Sequence, residues 1–180
     1  MNIQTEKVME FHENFNHPIN DQKNHIDLKT RQLRIKLLFE ELQELAEASD
    51  VRQTFVTLCE SNSMGYYINQ GVDEIDGDNI DKKEELDALC DLQYVLSGAI
   101  LSLGFQNEFD DAFSEVHDSN MSKMCDTEDE VKDTVDHYKE QGVESHFIKK
   151  GNKFIVMRVG DNKILKNKHY KEANLTKFIK

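Results

Sequence analysis

Four carboxylates stand where apolar side chains would be expected. Wound as a helix at about 100° per residue, residues 27–49 gather Leu33, Ile35, Leu37, Leu38, Leu42, Leu45 and Ala48 into one apolar arc. Glu41 and Glu44 fall inside that arc, flanked by Leu37, Leu45 and Ala48, with Glu40 and Glu47 at its edge. A second segment, LDALCDLQYVLSGAILSL from Leu86 to Leu103, carries only two charges, Asp87 and Asp91. These are four residues apart and share a helical face. Glu84 lies one turn earlier on that stripe, and Tyr94 and Gly98 continue it.

Burying an unpaired carboxylate costs several kcal/mol or forces its protonation, and neighbouring carboxylates also repel. No lysine or arginine lies between Leu86 and Leu103 to compensate. A hard divalent cation is the economical solution, since Mg²⁺ takes carboxylate oxygens and keeps several waters. Mn²⁺ is an alternative cation. The competing account pairs the acids with Arg31, Arg34 or Lys36 of the first helix. It suits one acid better than four together.

A metal held by carboxylates suggests phosphate chemistry, because Mg²⁺ can bridge phosphate oxygens and activate a bound water. The chain contains neither G-x-x-x-x-G-K-[ST] nor G-x-G-x-x-G, and no G-x-S-x-G elbow. Hydrolysis by a metal-activated water therefore fits better than a covalent intermediate. The histidines follow no ligand spacing, and HENFN fails the H-E-x-x-H pattern.

The elements that must position these acids are mainly helical. One proline and eight glycines in 180 residues argue against a turn-rich β sandwich. Helices are predicted over 3–16, 27–49 with Asp27 as N-cap, 52–70 ending at Gly71, 82–103 closing at Gly104, 106–123 and 127–141. The last-but-two, 82–103, is apolar all round and should be largely buried. Residues 72–81 read as a solvated acidic loop and not an EF-hand, because Ile75 and Ile80 break the ligand alternation. Residues 144–149 and 153–159 alternate about Lys150-Gly151-Asn152 and predict a β-hairpin, with a short third strand at 163–165. The expected division is a helical body over 1–125, with 50–80 as an insertion, and a small helix-plus-hairpin unit with a basic tail over 126–180.

The net charge is −13, from 22 basic and 35 acidic residues. It is unevenly spread, at +7 over residues 143–180 and −20 over the rest. So acidic a body argues against a polynucleotide partner. The three cysteines, Cys59, Cys90 and Cys125, are scattered and odd in number. They predict a reducing, cytoplasmic setting and no disulfide framework. No apolar signal core opens the chain, and no uncharged 18-residue run suggests a membrane span.

Several motifs carry a resemblance. Glu40-Glu41-Leu42-Gln43-Glu44 matches E-E-x-x-E, and Asp91 in DLQYVLSG matches the closing aspartate of an E-x-x-D pair on the next helix. EVHDSNMSKM over 115–124 is similar to an EVHRSNMSK segment, GDNKILKNKHYKEANL over 160–175 to a tail, and EFHENFNHPIN to an opening helix and proline turn. In this order they resemble the MazG-like, or phosphoribosyl-ATP pyrophosphohydrolase-like, superfamily of all-α nucleotide pyrophosphohydrolases. Many relatives carry Glu where this chain has Ala88, which leaves Glu84 and Asp87 as alternatives for one ligand.

The resemblance implies an all-α helical bundle, here with the small C-terminal unit, that is a homodimer or homotetramer. It implies Glu41, Glu44, Glu84 or Asp87, and Asp91 as metal ligands, with Glu40 a further ligand or the residue orienting water. It makes Asn120 and Lys123 phosphate contacts, and Lys163 and Lys166 weaker candidates. The implied reaction is Mg²⁺-dependent hydrolysis of a nucleoside triphosphate to monophosphate and pyrophosphate, clearing nucleotide pools. The alternatives are phosphoribosyl-ATP hydrolysis, and a helical oligomer that binds nucleotide or a protein partner without turnover.

Overall fold

The computed structural model describes residues 1–20, 26–51 and 80–179. The predicted helix at 52–70, Gly71, nearly all of the acidic loop and Cys59 lie outside the described residues. Among the described residues are five helices, a two-stranded sheet and a 3-10 turn at Leu175–Phe178. The chain divides into two compact units, Met1–Phe109 and Asp110–Lys180. Residues 110–125, assigned to the body from sequence, thus group with the C-terminal part. Ser119 and Cys125 show why: Ser119 Oγ bonds Tyr170 Oη at 2.8 Å, and Cys125 pairs with Phe154.

The first unit holds α1 (Ile3–Asn14), α2 (Leu28–Ala48) and α3 (Lys82–Ser102). Each starts at a side-chain cap that satisfies an otherwise orphaned amide. Asn2 accepts from the Thr5 N–H, Asp27 from Thr30, and Asp81 from Lys83 and Glu84. α3 is followed by Gly104 at φ +76°, the left-handed conformation in which glycine ends a helix cheaply.

α2 and α3 run antiparallel. The Asp81 N–H donates to the Ala48 carbonyl at 3.1 Å, and Ser49 Oγ to Glu85 Oε1 at 2.7 Å. At the other end Arg34 lies against Gly98. α1 packs on α3 through an edge-on Phe11–Tyr94 contact at 5.6 Å. The Pro18 carbonyl accepts from both His12 Nδ1, at 3.0 Å, and Ser102 Oγ, at 3.1 Å. Asn20 Nδ2 then donates to the Ser102 carbonyl at 2.6 Å. The chain's one proline turn is thereby pinned to the end of α3.

Burial corrects the expectation for α3. Ser97 to Ser102 are all buried, but Leu86 is 65% and Leu89 52% exposed. Among the described residues the second half of α3 meets α2, α1 and the Pro18 turn, whereas the first half meets α2 alone. The apolar arc of α2 is likewise narrower than expected. Arg34, Leu37, Leu38, Glu41, Leu45, Ala46 and Ala48 form its covered stripe, while Leu33, Ile35 and Leu42 are exposed.

The second unit packs α4 (Phe109–Met121, whose first residue lies at the division), α5 (Glu128–Glu140), β1 (Ser145–Lys150) and β2 (Lys153–Arg158). Its core is Cys125, Val131, Phe154, Val156 and Leu165. Thr127 caps α5, and Glu130 Oε2 accepts from the Asp126 N–H at 2.7 Å, a reciprocal arrangement at the helix start. β1 and β2 are antiparallel in the register Lys150↔Lys153, so the turn is Gly151-Asn152. Gly151 takes φ +63°, as the first position of a tight turn matched to strand twist requires. The predicted third strand is reduced to one bridge, Met157↔Ile164. The segment after it returns over the helices. Asn167 Nδ2 donates to the Met124 carbonyl at 2.9 Å, and Lys177 Nζ to Glu115 Oε2 at 2.6 Å.

Candidate active site

Glu41 is the one predicted acid on the covered stripe of α2, half-buried at the seam with α3. Its carboxyl is pushed above the usual glutamate range, first by lost hydration, then by repulsion from Glu44, Asp91 and Glu40. Asp91 is the acid of α3 whose charge reaches Glu41 across the seam. Asp91, Asp87, Glu84 and Glu44 are exposed at its rim. The expectation that the acids of α3 lie buried is therefore corrected to a rim position.

Among the described residues no ion pair joins a lysine or arginine to Glu41, Glu44, Asp87 or Asp91. The alternative pairing with α2 cations holds only at Glu40, which Lys36 meets at 3.1 Å. Glu84 is engaged with Lys83 at 2.6 Å, while Ala88 is buried at the seam one turn before Asp91. Of the two alternatives for the remaining ligand, Asp87 is the acid without an ion pair.

Uncompensated carboxylate oxygens fit a hard cation such as Mg²⁺. They are not drawn together, for no three His, Cys, Asp or Glu side chains among the described residues form a ready metal-binding group. Glu41 and Asp91 repel each other across the seam, and the acids would have to turn inward to share a cation.

The predicted phosphate contacts belong to the second unit. Lys123 Nζ donates to Asn120 Oδ1 at 2.6 Å at the end of α4. The Lys166 ammonium sits 4.3 Å from the Tyr170 ring centroid and its backbone N–H donates to Tyr138 Oη. Lys163 is exposed, its backbone N–H donating to Asp161.

Two polar residues of the first unit are buried, although the sequence offered Arg34 only as an ion-pair partner for the acids and His12 only as a histidine outside any ligand spacing. Arg34 is 5% and His12 2% exposed. Among the described residues, Nε and Nη2 of Arg34 are buried without a hydrogen-bond partner. His12 is pushed below the usual histidine range, chiefly by burial, with Arg34 and His17 adding repulsion against the Pro18 hydrogen bond. The readable signal was Arg34's place seven residues before Glu41, on the same stripe.

The first unit is built on a seam of two antiparallel helices lined with carboxylates that no lysine or arginine compensates among the described residues, apart from Glu40 and Glu84. The chain belongs to the phosphoribosyl-ATP pyrophosphohydrolase family, whose profile matches residues 8–120. An uncharacterized protein of Acanthamoeba polyphaga mimivirus is 35% identical over 78 residues, or 40% of this chain and 31% of that protein. The chain thus spans about a third of the length of that relative. The family assignment supports pyrophosphohydrolase chemistry in general. No helix among the described residues is long and apolar enough to cross a membrane.

Proposed function

We propose that the chain hydrolyses nucleoside triphosphates to monophosphate and pyrophosphate at the α2–α3 seam. The observation that carries this is the family match over residues 8–120, which takes in the seam where Glu41 and Asp91, like charges on different helices, repel each other with no lysine or arginine paired to them among the described residues. Glu41, Glu44 and Asp91, with Asp87 as the fourth donor, would hold Mg²⁺ or Mn²⁺. Such a cation, once bound, would neutralise polyphosphate charge and make a nearby water more acidic. Glu40, paired with Lys36 at the rim, would orient that water. The water oxygen bonds to the α-phosphorus and the α–β bridging P–O bond breaks. Its electron pair leaves with pyrophosphate, and the proton from water passes to a carboxylate or to solvent.

The test is pyrophosphate release from a panel of nucleoside triphosphates, with Mg²⁺ and with EDTA, by wild type and Glu44→Ala. Metal-dependent pyrophosphate release, lost in the variant, supports the reading; orthophosphate release, or turnover in EDTA, refutes it. Phosphoribosyl-ATP belongs in the panel as a second reading, because the matching family carries that substrate's name. A homodimer or homotetramer is proposed as the working form. Exposed Leu33 and Leu42 on α2 with Leu86 and Leu89 on α3 support it. A monomer by sedimentation at micromolar concentration would refute it.

A further inference from the structure

We propose that Arg34 is a substrate-binding residue, its two unpartnered guanidinium donors receiving an oxyanion of the pyrophosphate leaving group. This rests on the reading of the seam as a polyphosphate site and assigns that site a residue no carboxylate motif contains.

A guanidinium is almost always charged, and buried polar groups are almost always hydrogen-bonded. Arg34 is 5% exposed, yet two of its nitrogens have no partner among the described residues. Burial lowers its pKa from the ordinary value, and among the described residues no carboxylate offsets that or supplies an anion beside it. The Pro18 carbonyl can only accept, so His12 Nδ1 carries a proton toward it, while burial, Arg34 and His17 disfavour a second proton on Nε2. Across the seam stands Gly98, where a Cβ would lie 3.0 Å from Arg34 Nη1 and 3.2 Å from His12 Nε2. A glycine in mid-helix is costly, and here it seats a guanidinium against the helix.

Arg34 also lies at a suitable distance from the acids. It is seven residues before Glu41 on α2, and Gly98 is seven after Asp91 on the antiparallel α3. At 1.5 Å rise per residue, both separations are about 10 Å along the seam. A triphosphate whose α-phosphorus lies at the carboxylates has a length of that order. Forked N–H donors suit phosphate oxygens, and charge-assisted bonds of this kind are among the stronger ones.

The experiment measures binding of inorganic pyrophosphate to the full chain in EDTA, by calorimetry and by the shift of Tm. Wild type, Arg34→Met and Arg34→Lys are compared. Wild type should bind, and Arg34→Met should lose affinity at least about tenfold. The ligand-free Tm of Arg34→Met should equal or exceed that of wild type, since an unpaired buried charge has gone. Arg34→Lys keeps the charge without the fork and should fall between them; it also serves if the methionine variant does not fold. No binding by wild type, or equal binding by all three, overturns the proposal. Glu44→Ala keeps the two questions apart. It should retain metal-free pyrophosphate binding while losing turnover, so turnover that persists in Glu44→Ala sinks the carboxylate reading and leaves the Arg34 result to be judged by itself.

Discussion

Gly98 of α3 lies directly against Arg34 of α2, with Nη1 3.0 Å from the point where a Cβ would stand. Gly98→Ala would gain about 1 kcal/mol of helix propensity. It would also press on Arg34 and on His12, whose imidazole is tethered to Pro18. The expected outcome is a net loss of about 1 kcal/mol by chemical denaturation. In an Arg34→Met background, where the tip of the guanidinium is gone, the same change should be close to neutral or stabilising. Equal effects in both backgrounds would refute the contact as the cause.

Glu41→Gln should raise stability at neutral pH and abolish activity. The Glu41 carboxyl is raised in the folded state by lost hydration and by Glu44, Asp91 and Glu40. Its burden on stability is absent below the ordinary glutamate pKa and fully present once pH exceeds the folded value. The variant's gain in Tm should therefore appear at pH 7 and vanish near pH 4. If Glu41 holds the proposed cation, pyrophosphate release should fall at least about a hundredfold. A Tm unchanged at pH 7 would count against the repulsion.

His12→Asn should flatten the stability profile on the acid side of neutrality. Burial, then Arg34 and His17, hold the imidazole below its ordinary value of 6.5. The unfolded chain takes up the proton first as pH falls, so wild-type stability is full above that value and declines below it toward the folded pKa. Asparagine keeps a donor for the Pro18 carbonyl and lacks the titration. Denaturation midpoints between pH 7.5 and 5 would separate the two proteins.

In the second unit Asp161 is held at about 2 by Arg158, then by the Lys163 backbone N–H. A depressed carboxylate contributes stability above its unfolded pKa, and that contribution is lost as pH falls to the folded one. Arg158→Leu should therefore lower the stability of the β1–β2 hairpin at pH 6 and leave it near wild type at pH 2. Amide exchange at Met157 and Val159 would measure this locally.

Much of this architecture was readable because local chemistry decides it. Asp27 caps α2, Gly104 and Gly142 take positive φ after their helices, and Gly151 turns the hairpin. Packing was less readable. The uniform hydrophobicity from Leu86 to Leu103 predicted a buried helix, but burial depends on which neighbours each half meets, and among the described residues Leu86 and Leu89 in the first half stay exposed. Ile164 alternates like a strand residue yet forms a single bridge, since a ladder needs a partner of matching length. Spacing found Glu41 and Asp91, but it left Glu84 and Asp87 as alternatives, and the ion pair that engages Glu84 is with its neighbour Lys83. The unpartnered guanidinium was invisible because sequence gives a charge without its partners.

The hydrogen bonds of Asn167, Tyr170 and Lys177 back to Met124, Ser119 and Glu115 have a consequence for the order of biosynthesis. Residues 1–109 form a compact unit by themselves, so its three described helices can pack while the rest is still being translated. The second unit must wait. Its helices α4 and α5 emerge well before residues 165–178, which fasten them. During that interval Val131, Phe154 and Val156 have no Leu165 over them, and the nascent chain is then most open to chaperones and proteases.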